Sequence, residues 1–336
     1  MAIKVGINGF GRIGRLALRA AKRQGVADLD FVAVNDLTDT KTLAHLFKYD
    51  SVHGTYDGDV TATDNGIVID GDEMRVFAER DPAALPWKSL GVDIVLESTG
   101  RFTSAADAGK HITGGARKVV ISAPAKGDDI TLVMGVNEDR YDPAAHHLVS
   151  NASCTTNCLI PMVKVIRDAF GFRHGFMVTI HSYTNDQQVL DSPHKDLRRA
   201  RAAGVSIIPT TTGAAKAASL VIPEVKGLLD GIAIRVPTPD VSLTELTVEV
   251  ERPTTIADVN AAFRTAAEGR MKGIVQFTEE ELVSADYIGN PHSCILDSKN
   301  TNVVDGTMVK VSGWYDNEFG YASRCVDLVR FIGARL

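Results

Sequence analysis

Up to about residue 150, short apolar runs alternate with stretches of helical period. Ile3–Asn8, Phe31–Asn35, Asp93–Glu97, Lys118–Ser122 and Leu132–Gly135 read as strands. Between the first two, Ile13, Leu16, Ala17 and Ala20 share one helical stripe, while Arg12, Arg15, Arg19 and Arg23 lie off it. Strands that alternate with amphipathic helices predict βαβ units and a mostly parallel sheet.

Beyond residue 153 the period changes to two. Glu245–Val250 alternates apolar and polar positions, and Gly175–Thr184, Ile232–Val236 and Met308–Tyr315 read as companion strands. One solvated face and one buried face predict a mainly antiparallel sheet. A last helix, 319–336, carries Tyr321, Cys325, Leu328 and Ile332 on one face. The chain therefore divides into an α/β domain, 1–152, and an α+β domain, 153–318.

Gly9, Gly11 and Gly14 form G-x-G-x-x-G after a strand and before a helix, and a second strand ends at Asp36. In that setting the glycines admit a tight turn and a pyrophosphate, which the N–H groups of Arg12 and Ile13 would meet. The first domain is thus expected to be a doubly wound, Rossmann-type dinucleotide site. Asp36 is placed to bond a ribose 2′-hydroxyl and repel a 2′-phosphate, which favours NAD; its other reading is a strand-end turn residue. Ser122 closes the fourth strand, where open parallel sheets present loops to ligand.

Ser153-Cys154-Thr155-Thr156-Asn157-Cys158 separates the extended His147–Ser150 from a helical run, Leu159–Phe170. A thiol at such a junction faces open backbone N–H groups and the positive helix end, which together predict a lowered pKa and a nucleophile. Pro161 cannot donate to the carbonyl of Asn157, so a kink or a late helix start is expected. A buried, inert cysteine is the plainer alternative.

His181 ends a strand and is a candidate base for Cys154. The segment His194–Arg201, with Arg198 and Arg199, is followed by Thr210-Thr211-Thr212-Gly213 and by Arg235. Hydroxyls, glycine N–H groups and arginines suit phosphate, although a solvated basic face or a subunit contact fits the same residues. No aromatics interleave with this charge, so nucleic acid is not expected.

Composition adds mainly exclusions. The net charge of -6 offers no general attraction to nucleic acid or anionic lipid. Four cysteines in 336 residues make no disulfide framework, and Cys154-x-x-x-Cys158 is poor as a metal site. With no signal-like start and no apolar run near the ~20 residues that span a bilayer, a cytoplasmic setting is expected.

The chain resembles phosphorylating, NAD-dependent glyceraldehyde-3-phosphate dehydrogenases along its whole length. Seven ordered blocks carry the likeness. They are Val5–Arg15, Asn151–Cys158, His181–Gln187, Asp196–Arg201, Thr212–Lys216, Arg235–Pro239 and Trp314–Glu318. The resemblance implies a Cys154 nucleophile, a His181 base, and a thiohemiacetal that becomes an acyl thioester. It implies Thr184 and Arg235 for the C3 phosphate of glyceraldehyde 3-phosphate, and Ser153, Thr155, Thr212 and Gly213 for inorganic phosphate, with Arg199 in the anion region. Arg12, Ile13, Asp36, Arg80, Ser122 and Asn317 would contact NAD, Asn317 at the nicotinamide amide. It further implies a homotetramer, and a final helix that returns to the coenzyme domain.

One departure is Ser192 before Pro193, where NAD-dependent members often carry a bulky apolar residue. It implies a preference for NAD over NADP that falls short of exclusion. Three rival readings are an erythrose-4-phosphate dehydrogenase, a Cys–His thiol hydrolase and an NAD-responsive interaction protein. The hydrolase leaves the dinucleotide motif unexplained.

Overall fold

A computed structural model describes residues 2–336, which form two compact units. Of the described residues, the first unit comprises 2–132, 139–152 and 322–336, and the second comprises 133–138 and 153–321.

The first unit is built on a nine-stranded sheet. Its order is Val60–Ala62, Gly66–Ile69, Asp72–Phe77, Leu29–Asn35, Ile3–Asn8, Ile94–Glu97, Lys118–Ile121, Leu148–Ser150 and Ile130–Thr131. From Asp72–Phe77 onward every pairing is parallel. The central strands are covered on both faces, which is why they read as near-continuous apolar runs.

Three details differ from the sequence expectation. The fifth strand is Ile130–Thr131, not Leu132–Gly135, because Asn137 Oδ1 accepts from Val133 N at 2.8 Å and turns the chain. The antiparallel strands from Val60 to Phe77 were not anticipated. Their last turn places Asp70 at φ 53° and Gly71 at φ 86°, the left-handed pair of a type I′ hairpin. Arg19 is buried despite lying off the apolar stripe of Arg12–Arg23. It donates to Phe47 O (3.0 Å) and Gly54 O (3.1 Å), which satisfies its charge-bearing N–H groups against the 47–54 turn.

The end of the chain belongs to this unit. Arg330 pairs with Asp28 at 3.0 Å, and Asn151 Nδ2 reaches Cys325 Sγ at 3.3 Å.

The second unit carries an eight-stranded sheet ordered Ile208–Thr211, Leu229–Val236, His174–Ser182, Ser242–Glu249, Met308–Tyr315, Cys294–Asp297 and Val275–Thr278, with Asn302–Val304 on Met308–Tyr315. Most pairings are antiparallel, and Ser242–Glu249 alternates buried and half-buried positions. His174–Ser182 and Leu229–Val236 pair in parallel, however, which sets His181 opposite Arg235. The helix Cys154–Phe170 packs on the Met308–Tyr315 strand. There a Cβ on Gly313 would come 2.8 Å from Cys294 Sγ and 2.9 Å from Met162 Sδ, so only glycine allows the approach.

Among the described residues, no helix is long and apolar enough to cross a membrane.

Candidate functional site

Two sites, one in each unit, gather most of the residues singled out by the sequence. In the first unit the turn after Ile3–Asn8 depends on its glycines. Gly9 has φ +91°, and a Cβ there would lie 2.6 Å from Thr99 N. A Cβ on Gly14 would lie 2.3 Å from Gly9 O. Gly11 is different: it precedes Arg12–Arg23, and its Cβ would meet nothing within 4 Å. A side chain there would stand over the helix N-terminus, where backbone N–H groups and the dipole attract an anion. That geometry fits a dinucleotide pyrophosphate.

Asp36 makes the bonds of a turn residue. Its Oδ2 accepts from Phe10 N at 2.9 Å and its Oδ1 from Thr38 N at 3.0 Å, so it braces the glycine turn and its own. It also lines a cleft of about 290 Å³ with Asn8, Gly9, Gly11, Arg80 and Thr99. Ile13 is in the first helical turn, and Ser122 follows the Lys118–Ile121 strand, its N–H bonded to Glu97 O at 2.9 Å. Arg12 is ion-paired with Asp50. Burial alone would raise the Asp50 carboxyl, but bonds from His53 N, Arg12 and Val52 N outweigh it and hold the group at about 2.

In the second unit, Cys154 opens the helix Cys154–Phe170. The late start expected from Pro161 does not occur. Ser153 caps the helix instead, its Oγ accepting from Thr156 N at 3.1 Å. Cys154 Sγ lies 3.5 Å from His181 Nε2. Thr155 Oγ1 bonds Tyr315 OH at 2.9 Å, and Thr179 Oγ1 bonds the same hydroxyl at 2.8 Å. The Tyr315 ring stands edge-on to His181, its centroid 6.0 Å away.

His181 Nδ1 is 2.7 Å from Ser182 O, and Arg235 Nη1 lies 2.6 Å from Nδ1 and 2.9 Å from Ser182 O. Burial first, and Arg235 second, hold the imidazole down at about 3. The Cys154 thiol is pushed up by burial, with Arg235 and Thr155 opposing. That direction is opposite to the lowering expected from the helix terminus, and loss of water around the sulfur is its largest cause. At rest this environment favours thiol and neutral imidazole.

Of the anion group, the structure joins only Thr155 and Arg235 directly to Cys154 and His181; the others are held by their own loops. Arg199 donates to Asp186 (2.5 Å) and Thr210 (2.9 Å), which fastens the 184–211 segment. Thr184 N donates to Gln187 Oε1 at 3.3 Å. Thr212 Oγ1 accepts from Ala214 N at 3.2 Å, and Gly213 precedes the helix Ala214–Val221. Arg198 is exposed.

Asn317 Oδ1 accepts from two buried hydroxyls, Ser182 Oγ at 2.8 Å and Ser242 Oγ at 2.6 Å. Tyr315, Ser182 and Ser242 were not foreseen as parts of the site. Tyr315 and Ser182 stand inside matched blocks, but their partners lie at |i−j| of 160 and 135, beyond any local signal.

A dinucleotide turn on a parallel sheet, with a cysteine–histidine pair in a second α+β unit, is the arrangement of a two-domain, NAD-dependent dehydrogenase. Residues 3–105 match the family model for the glyceraldehyde 3-phosphate dehydrogenase NAD binding domain, and 153–317 match that for its C-terminal domain. The chain is 61% identical over 335 residues to glyceraldehyde-3-phosphate dehydrogenase of Geobacillus stearothermophilus, covering 100% of this chain and 99% of that one. It is 60% identical to glyceraldehyde-3-phosphate dehydrogenase 2 of Streptomyces avermitilis, with both chains covered in full, and 59% identical to glyceraldehyde-3-phosphate dehydrogenase 1 of Bacillus subtilis, covering 100% and 99%. The chain belongs to the glyceraldehyde-3-phosphate dehydrogenase family.

Proposed function

We propose that the protein oxidises and phosphorylates D-glyceraldehyde 3-phosphate to 1,3-bisphosphoglycerate with NAD. The observation that carries this reading is Cys154 Sγ at 3.5 Å from His181 Nε2 in a member of this family. The tautomer with its proton on Nδ1 turns the Nε2 lone pair toward the thiol, and it requires Arg235 Nη1 to donate to Ser182 O and not to the ring. His181 takes the thiol proton, the thiolate adds to the aldehyde carbon, and the imidazolium returns the proton to the carbonyl oxygen, which gives a thiohemiacetal on Cys154 and restores the neutral base. Bound NAD supplies the hydride acceptor, which no side chain can provide. His181 then accepts the hydroxyl proton as the carbon is oxidised, leaving an acyl thioester. Inorganic phosphate attacks the thioester carbonyl and Cys154 departs as thiolate, so acyl-transfer potential is kept in the acyl phosphate.

Arg235 and Thr184 are proposed to hold the C3 phosphate. Ser153, Thr155, Thr212 and Gly213 are proposed to hold the attacking phosphate, and Arg199 orders the loop beside them. Gly9, Gly11, Gly14, Arg12, Ile13, Asp36, Arg80, Ser122 and Asn317 are proposed to hold NAD. The coenzyme domain is taken as 1–152 with the helix 319–336, and the catalytic domain as 153–318. A cytoplasmic homotetramer is part of the same reading. Absorbance at the reduced-nicotinamide band is the test, with glyceraldehyde 3-phosphate, NAD and varied phosphate. NADH must form, and the steady rate must depend on phosphate; erythrose 4-phosphate as the better substrate rejects the assignment. Because Asp36 is retained while Ser192 is small, kcat/KM should be higher with NAD than with NADP.

A further inference from the structure

Beyond the nucleophile, the second unit buries two further thiols against each other. Cys158 lies on the helix that Cys154 opens, and Cys294 begins the strand Cys294–Asp297. Both are buried, whereas Cys154 is half-buried. A Cβ on Gly313 would stand 2.8 Å from Cys294 Sγ and 3.0 Å from Cys158 Sγ, so the two sulfurs share the space that the glycine leaves open. Cys158 Sγ is 3.5 Å from Gly313 O, and its thiol is hydrogen-bonded to Cys294. Burial first, and Cys294 second, push the Cys158 thiol well above its usual value. Met162 Sδ, 2.9 Å from the same point, adds an apolar wall. Small apolar side chains would pack here equally well. Two thiols in contact can also join.

Cys154 is the more exposed thiol, so a hydroperoxide meets it first and gives a sulfenic acid, Cys154–SOH, with release of the alcohol or water. Cys158 sits one turn on, close enough for Cys154 to influence its ionisation. Its sulfur attacks the sulfenic sulfur, and the hydroxyl leaves as water with the Cys158 proton. That bond is strained. Cβ atoms four residues apart on a helix stand about 5–6 Å apart, and a disulfide needs about 3.5–4.5 Å. We propose that Cys294 is a resolving thiol, which attacks Cys158 Sγ, forms a Cys158–Cys294 disulfide and releases Cys154. The Cys294 proton ends on the departing Cys154 sulfur, which His181 Nε2 faces at 3.5 Å. Over the three steps one hydroperoxide is reduced, Cys158 and Cys294 are oxidised together, and the nucleophile returns as a thiol. The buried pair holds the two oxidising equivalents until the exchange runs backwards and an external dithiol removes them.

The full-length protein, free of coenzyme and reductant, is treated with one equivalent of hydrogen peroxide per chain and then with catalase. Activity is followed over time, and disulfides are mapped by mass spectrometry after alkylation of the remaining thiols. NADH formation should fall early and then return for the most part without added reductant, while a Cys158–Cys294 disulfide accumulates. Cys294→Ser lies outside the residues proposed for catalysis and coenzyme, and should keep the untreated rate. After peroxide it should recover roughly tenfold more slowly or not at all until a dithiol is added. Cys294→Ala is the second variant, with the same outcome expected. Cys325→Ser, in the other unit, should match the wild type. A wild type that never forms the Cys158–Cys294 bond, or a Cys294→Ser protein that recovers as fast as the wild type, overturns the inference. Because mapping reads the bond without activity, a protein that forms it yet makes no NADH before treatment loses the proposed function and keeps this inference.

Discussion

At the scale of single residues the proposed chemistry rests on one sulfur and one imidazole, and their surroundings oppose charge separation. Burial raises the thiol and lowers the imidazole, so the pair must exchange a proton at the moment of attack. Cys154→Ser should abolish NADH formation while calorimetric NAD affinity stays within about twofold, since an alkoxide is far harder to make than a thiolate. Residual turnover above about 1% would refute the nucleophile. His181→Asn removes the acceptor of the hydroxyl proton, and general-base catalysis is worth roughly 10²–10⁴ in rate. Single-turnover NADH formation should fall by that order, with NAD binding retained; an unchanged single-turnover rate would exclude His181 as base. Cys154 was legible from its neighbours because a strand–helix junction is local. His181 stood out as a candidate base, but its nearness to the sulfur was not legible. His181 reaches the sulfur because the end of its strand and the first residue of the helix meet in the folded second unit, an approach that no spacing in the chain encodes.

Elements impose the next constraint, and the glycine turn shows how stability and binding separate. Gly14→Ala would drive a Cβ to 2.3 Å from Gly9 O, a backbone contact that cannot relax cheaply. Overpacking of that kind costs about 1–3 kcal/mol, so Tm should fall together with NAD affinity. Gly11→Ala meets no protein atom within 4 Å and leaves Tm nearly unchanged. Its NAD affinity should nonetheless drop tenfold or more if the pyrophosphate lies over the helix start. Equal Tm losses in the two variants would remove the turn as the anion site. Most strands were visible in the apolar pattern. The Val60–Phe77 meander was overlooked although Asp70-Gly71 marks its hairpin, because its strands are short and partly exposed. Ser153 overrode the warning from Pro161, since a satisfied cap fixes the start of a helix whatever lies two turns later.

Across the whole molecule, buried titratable groups set how stability varies with pH. Asp240 is pushed up to about 9 by burial, then by Asp316 and Glu318. An acid with a raised folded pKa contributes stability in full below its unfolded value of 3.8 and loses it as pH climbs toward 9. His181, held at about 3, does the reverse: its contribution is complete above 6.5 and is lost as pH falls toward 3. From these two groups alone, stability is level between pH 4 and 6.5 and declines from 6.5 to 9. Asp240→Asn cannot ionise, so its Tm should exceed that of the wild type at pH 8, by a margin that grows between pH 5 and 8. A margin independent of pH would show that Asp240 is already ionised in the fold.

What the sequence determined by itself is whatever short-range physics can write: two periods of apolar residues, a glycine turn between strand and helix, a capped cysteine, and the acid ending a strand. Each depends on residues within a few positions of one another. Tertiary structure alone decided which strand neighbours which. That choice put Arg235 against the imidazole, Tyr315 between Thr155 and Thr179, and two serines on the oxygen of Asn317. It also reversed the expected acidity of the thiol. Loss of water around the sulfur depends on what the assembled site packs against it, which the local sequence does not announce.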